Sequence, residues 1–449
     1  MMLGVIYLIL CMLIGKELAG LLLSKKIGYN QIWLTLAAAF GTGVLIMGWA
    51  TYMTAWAASE AGAVHPLIYA NAVVMAVAVL IVVILYWKRY HKAGSFKGIL
   101  ETGMITERRL FRKEAVFFGA LLVFLTWIMF YVFFIKDGVL YSGYTVYGDY
   151  APHTAMMRSF SMGNNFPTQY PHFGGQDVKY HFMFQFFVGN LEFLGLRLDF
   201  AYNVVSVLVL LGFLIFLYHM AKRLTGSFAA GVLTVFFFFF RSSLSFFRFV
   251  IEHLNAGDLW ETLRDNTTFI GYTTNENWGL WNFNVYLNQR HLAFGLLIVA
   301  IVLWLFMDWL EVGCSAPETG VRWIKKRIFT KKAWLCVHSE TALLAGMILG
   351  LTSFWNGAAV IGGLLILMGF AVFSDGKLDY LILAVTAVIF SVLQTKIFIW
   401  GDAVSPSFYW GFLSENKSIT GVLWYLIQMS GVFFVGAVLI AFFLRERRQ

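Results

Sequence analysis

Apolar residues run through this chain in blocks, not in alternation. AVVMAVAVLIVVILYW ahead of Lys88 and VSVLVLLGFLIFLYHMA ahead of Lys222 approach the roughly 20 residues that carry a helix across a ~30 Å hydrocarbon core. A membrane β-strand is about 10 residues with alternating polarity, a pattern these blocks do not follow. Block boundaries predict about eleven spans, near 2–23, 31–57, 67–87, 115–135, 202–221, 227–247, 291–311, 340–355, 357–374, 379–399 and 421–444. The expected fold is an all-α polytopic membrane protein. The first run has no positive leader and no small-x-small site before Lys25, so it reads as a retained helix.

One stretch breaks the pattern. YGDYAPHTAMMRSFSMGNNFPTQYPHFGGQDVKYHF, residues 147–182, gathers Asp149, Asp177, His153, His172, His181, Arg158 and Lys179. Pro152 suits a first helical turn, and APHTAMMRSFSMG then follows helical spacing until Gly163-Asn164-Asn165 stops it. DVKYHFMFQFFVGNLEFLGL predicts a second amphipathic helix. The expectation is two juxtamembrane amphipathic helices in a long first outer loop, lying on the membrane surface and holding Asp149 and His153 above the hydrocarbon.

Composition agrees with the blocks. Of 449 residues, 60% are hydrophobic and 13% charged, too few polar groups to cover a soluble globule of this size. With alternating spans, 22 of the 33 Lys and Arg fall on one side. The positive-inside bias makes that side cytoplasmic, with the N-terminus outside and the C-terminus inside, as in a plasma membrane. Basic loops facing anionic lipid then account for the net charge of +9 without a nucleic-acid partner. Loops 136–200, 252–289 and 400–420 fall on the outer face and carry the candidate chemistry. Cys11, Cys314 and Cys336 show neither metal spacing nor an evident pairing.

Asp149 has two readings, a helix N-cap or a carboxylate base. His153 follows four residues later, and with His172 it could join Asp149 around a divalent ion. Arg158, Tyr180 and His181 are candidate substrate contacts, as are Trp278 and Trp281, whose rings suit sugar faces or an interfacial aromatic belt. Arg241 and Arg248 are seven apart in FFFFFRSSLSFFRFV, and an intramembrane guanidinium calls for a cavity, a carboxylate or a phosphate. Arg290 and His291 open the next span from the outside, with Lys396 near the outer end of a later one. Arg241, Arg290, His291 and Lys396 are therefore the candidate phosphate ligands. Walker, dinucleotide, GxSxG and HExxH patterns are absent from the sequence.

A span, an acidic residue opening a long outer loop at YGDYAPH, two flanking helices, a Pro-rich crossing and a Tyr180-His181 pair together resemble the GT-C superfamily of integral membrane glycosyltransferases, which includes protein mannosyltransferases and aminoarabinose transferases. The resemblance covers about residues 115–375 and implies a catalytic module there, preceded by a three-helix segment with a basic loop at 1–114 and followed by two helices at 376–449. It implies a polyprenyl-phosphate sugar donor and Asp149 as base or metal ligand. Three spans precede the usual first helix, and Gly148-Asp149 stands where protein mannosyltransferases carry adjacent acids. The expected function is sugar transfer to an acceptor at the extracytoplasmic face. The alternative is a transporter or lipid flippase whose buried arginines guide an anionic substrate.

Overall fold

The computed structural model describes residues 2–23, 31–93, 107–143, 148–239, 243–266, 272, 282–314, 320–399, 408–411, 413–431, 433 and 436–437. The chain is nearly all helix, and among the described residues eight helices are long and apolar enough to cross a membrane. They lie in α1 (Met2–Leu23), α2 (Ile32–Glu60), α3 (Pro66–Ala93), α4 (Arg108–Val132), α7 (Leu198–Thr225), α12 (Arg290–Cys314), α15 (Ser353–Phe373) and α16 (Lys377–Phe398). Three further expected spans contain shorter apolar helices, α8 (Phe228–Phe239), α14 (Ser339–Leu351) and α17 (Ile419–Ser430). The remaining helices are α5 (Tyr150–Ser161), α6 (Met183–Phe193), α9 (Ser245–Ala256), α10 (Leu259–Asp265), α11 (Asn282–Asn288) and α13 (Gly320–Phe329).

The chain divides into two compact units, 1–232 with 286–403, and 233–285 with 404–449. In the first, α2, α7 and α12 are the most enclosed of the candidate spans. The N-terminal helices belong to this unit, because small residues let α1 and α2 touch backbone to backbone. A Cβ on Gly43 would fall 1.8 Å from the Cys11 carbonyl oxygen, and one on Gly15 equally close to that of Ala39. Thr42 Oγ1 donates to Gly15 O at 3.0 Å, and Tyr7 Oη to Met47 O at the same distance. Such contacts hold helices together where burial from water supplies little.

Charge pairs tie the helix ends remote from the 150–180 region. Lys222 meets Glu114 at 2.7 Å, Arg223 meets Glu311 at 2.6 Å, and Arg327 meets Asp375 at 2.6 Å. Within α15, Asn356 leaves helical geometry (φ −164°, ψ 100°), and its Oδ1 accepts from Ala359 N at 2.8 Å, capping the continuing helix. The break that the expected spans 340–355 and 357–374 leave at Asn356 is thus a kink inside a helix, with the α14–α15 junction earlier, at Thr352.

Two expectations need correction. The structure contains a hairpin, β1 (Phe133–Lys136) and β2 (Val139–Ser142), paired antiparallel with Phe133 opposite Ser142. Its turn is Asp137-Gly138, both at positive φ, the conformation that Asp-Gly favours between two strands. The second supposed surface helix, α6, is enclosed: Met183 through Leu191 are all buried. Gly189 lets it approach the backbone of α5, where a Cβ would lie 2.4 Å from Met157 O. Asn190 exchanges side-chain amide hydrogen bonds of 2.7 and 3.1 Å with Asn71 of α3. Buried amides paired on both sides explain how a polar residue survives there.

In the second unit, Leu244 N donates to Gln428 O at 3.1 Å, while Arg248 pairs with Glu252 at 2.9 Å and lies over the Tyr272 ring. The run expected as one span over 227–247 holds two described helices, α8 ending at Phe239 and α9 starting at Ser245.

Candidate functional site

The first turn of α5 and the chain leading into α6 form one wall of a cavity of about 620 Å³. Asp149, His153, Lys179, Tyr180, His181 and Gln185 are among its lining residues, with Gln289 contributed from just before α12. The crossing between α5 and α6 is well tied. Asn165 Nδ2 donates to Gln169 O, Gln169 N donates back to Asn165 Oδ1, both at 2.8 Å, and Thr168 Oγ1 lies 2.7 Å from Tyr52 Oη.

Asp149 occupies the N-cap position of α5, yet its carboxylate caps no helical N–H. It instead accepts from Asn288 Nδ2 at 2.8 Å and from the Gln289 side-chain amide. The cap reading of this residue is therefore set aside by geometry. Gln289 Oε1 accepts in turn from Tyr180 Oη at 3.2 Å, and that hydroxyl is also 3.2 Å from His291 Nε2. A polar chain thus runs from the carboxylate through an amide and a phenol to an imidazole.

Three imidazoles gather around Tyr180. The His181 and His291 ring centres are 4.3 Å apart, those of His153 and His291 5.3 Å, and Tyr180 stacks on His181 at 3.8 Å. Burial pushes His153 down to about 4, opposed by the nearby Asp149 charge and helped by Arg290. His181 falls to about 3, mainly through burial and secondarily through His153. Tyr180 rises to about 12, through burial first and then the Asp149 charge. Both histidines are therefore neutral near pH 7. Buried polar atoms normally find partners. His153 Nδ1, His181 Nε2 and Gln185 Oε1 find none among the described residues, and all three residues line the cavity.

Of the other candidates, Arg290 departs furthest from expectation. It is wholly buried, with its guanidinium 4.3 Å from the Tyr202 ring centre and flanked by Tyr150 and Phe133. It donates to Leu287 O, to Asn203 Oδ1, to Met129 O and to Tyr150 Oη. Its fork is spent inside the protein, and it is absent from the cavity wall, so the phosphate-ligand expectation is corrected to a structural one. Arg158 is turned away to Glu192 at 3.1 Å and is no cavity contact. His172 and Lys396 are exposed, and neither lines the cavity. Among the described residues no three of His, Cys, Asp or Glu converge as metal ligands, so the Asp149-His153-His172 set does not fit an ion. Arg241, Trp278 and Trp281 lie outside the described residues.

Sequence reading missed Asn288, Gln289 and Gln185. The signals were present: two adjacent amides before a basic pair, and a lone Gln in an aromatic run. In comparisons with known proteins, the chain matches no family model, no curated protein and no solved structure.

Proposed function

We propose that this multi-pass membrane protein is a glycosyltransferase of GT-C-like layout, moving a sugar from a polyprenyl-phosphate donor to a hydroxyl acceptor at the extracytoplasmic face. The observation that carries it is the cavity wall that joins an amide-oriented carboxylate to three buried polar atoms awaiting partners. Neutral imidazole nitrogens and an amide oxygen suit a ligand rich in hydroxyl groups, each of which both donates and accepts.

Asp149 takes the acceptor hydroxyl proton as the acceptor oxygen bonds to the anomeric carbon. The bond from that carbon to the phosphate oxygen breaks, and polyprenyl phosphate departs with the electron pair. Lys179, exposed on the same wall, supplies positive charge to the leaving phosphate. In this reading the three shorter apolar helices cross with the eight longer ones, and the positive-inside bias then supports an outer cavity and an outer N-terminus.

The test is release of polyprenyl phosphate from a panel of lipid-linked sugars by the purified protein. Wild type is expected to release it from at least one donor, and Asp149→Asn from none above background. Equal release by Asp149→Asn ends the assignment.

A further inference from the structure

A second cavity lies at the other end of α16 from the site. Phe398, at the C-terminal end of α16, borders a cavity that shares Asp177 with the site's own. The second cavity, about 600 Å³, is instead lined by Lys377, Tyr380 and Leu381 from the first turns of α16, with Leu364 and Met368 from α15. About 30 Å of helix separates the two ends. Its lining is almost wholly apolar, and Leu365, Met368 and Leu381 are exposed.

The cavity does not stop at the membrane-spanning helices. Ile328 and Trp334, from the segment made of the end of α13 and the 3-10 turn after it, also line it. That segment is held in place by the Arg327–Asp375 pair and by Trp334 Nε1, which donates to Ile328 O at 2.7 Å. Between the lining residues Ile328 and Trp334 the chain carries Lys331 and Lys332, both exposed on a 3-10 turn, and Lys377 lines the cavity itself. Residues 320–334 hold six Lys and Arg and no acid. Phe329 is 79% exposed beside them, a ring placed to enter a headgroup layer. One short segment thus supplies the apolar mouth of the groove and a positive rim.

A groove that is hydrocarbon-like along its length and cationic at one end is complementary to an anionic amphiphile. We propose that it binds an anionic glycerophospholipid, with one acyl chain along α15 and α16 and the phosphate at Lys331, Lys332 and Lys377. The site is independent of the transfer reading, and it lies toward the opposite end of α16 from the reaction cavity. Charge alone would place lipid anywhere on the basic surface; the continuous groove fixes it here.

The test is native mass spectrometry of the full chain in detergent, titrated with dioleoyl phosphatidylglycerol, dioleoyl phosphatidylcholine or a polyprenyl phosphate. Wild type is expected to retain phosphatidylglycerol at least tenfold more tightly than phosphatidylcholine. Lys331→Gln/Lys332→Gln should weaken it by about fivefold per lysine, and Ala384→Trp, which fills the groove, should weaken both phospholipids. A control pair of equal charge change, Arg108→Gln/Arg109→Gln, should leave retention unchanged. Equal loss in the control pair, or equal affinity for phosphatidylcholine, overturns the site. Tighter binding of the polyprenyl phosphate overturns the choice of lipid. The two lysines are exposed, so their variants decide the question even where Ala384→Trp fails to fold.

Discussion

Asn288 donates its side-chain amide to the Asp149 carboxylate at 2.8 Å across 139 positions of chain, tying the approach to α12 to the start of α5. With the Gln289 amide on the same oxygen, Asp149 is held and oriented by two neutral donors. Asp149→Asn should lower transfer by about 10²–10⁴-fold, the usual worth of a positioned base. Asn288→Ala removes only orientation and should lower kcat about tenfold with KM little changed, while Asn288→Gln keeps a donor and loses less. Steady-state kinetics on the donor identified by phosphate release check the order.

How much of this was legible in the chain depends on range. Local features were: Pro152 and Asn164 bound α5, and the apolar blocks locate the long helices. The Asp137-Gly138 turn was equally legible and was lost because a membrane reading attends to blocks, not to a four-residue strand. Longer-range features were not. The charge of Arg290 pointed to an anion, but three aromatic rings and four acceptors, all but Leu287 O from distant parts of the chain, satisfy it instead. The aromatic run of α6 suggested a surface helix because the residues covering its polar positions, such as Asn71, come from elsewhere in the chain.

Arg290 and Lys179 should separate cleanly. Arg290→Lys keeps the charge but loses the planar fork that serves Leu287, Asn203 and Tyr150 at once. Disrupting a buried, bonded charge costs about 3–5 kcal/mol, so the expected result is a lower Tm and less monodisperse protein. Lys179→Met, on the cavity wall, should leave Tm within a degree or so, as surface changes commonly do, and raise the donor KM. An unchanged Tm in Arg290→Lys with a raised KM would return Arg290 to the phosphate.

Backbone contact between α1 and α2 makes another prediction. Gly43→Leu would drive its Cβ to 1.8 Å from the Cys11 carbonyl oxygen, which no rotamer relieves because the obstruction is backbone. The cost should reach or exceed the upper end of the about 1–3 kcal/mol typical of overpacking. Gly20→Leu, on the same α1 helix with nothing within 4 Å of its added Cβ, is the matched control. Thermal aggregation in detergent should separate the two variants, and equal Tm values would mean that the α1–α2 contact is not close.

Acid should loosen the site before it protonates the site's histidines. His153 is held near 4 and His181 near 3 by burial, whereas in the unfolded chain each titrates near 6.5. Between about pH 6.5 and pH 4 the unfolded state therefore binds more protons than the folded one. Stability contributed by the neutral, buried rings is complete above about pH 6.5 and declines as pH falls. The slope is about 1.4 kcal/mol per pH unit for each ring, or about 2 kcal/mol each at pH 5. The Tm in detergent should drop between about pH 7 and pH 5, and His153→Gln, which cannot charge, should drop less over the same interval. A variant that loses as much Tm as wild type would show that His153 is not held neutral by burial.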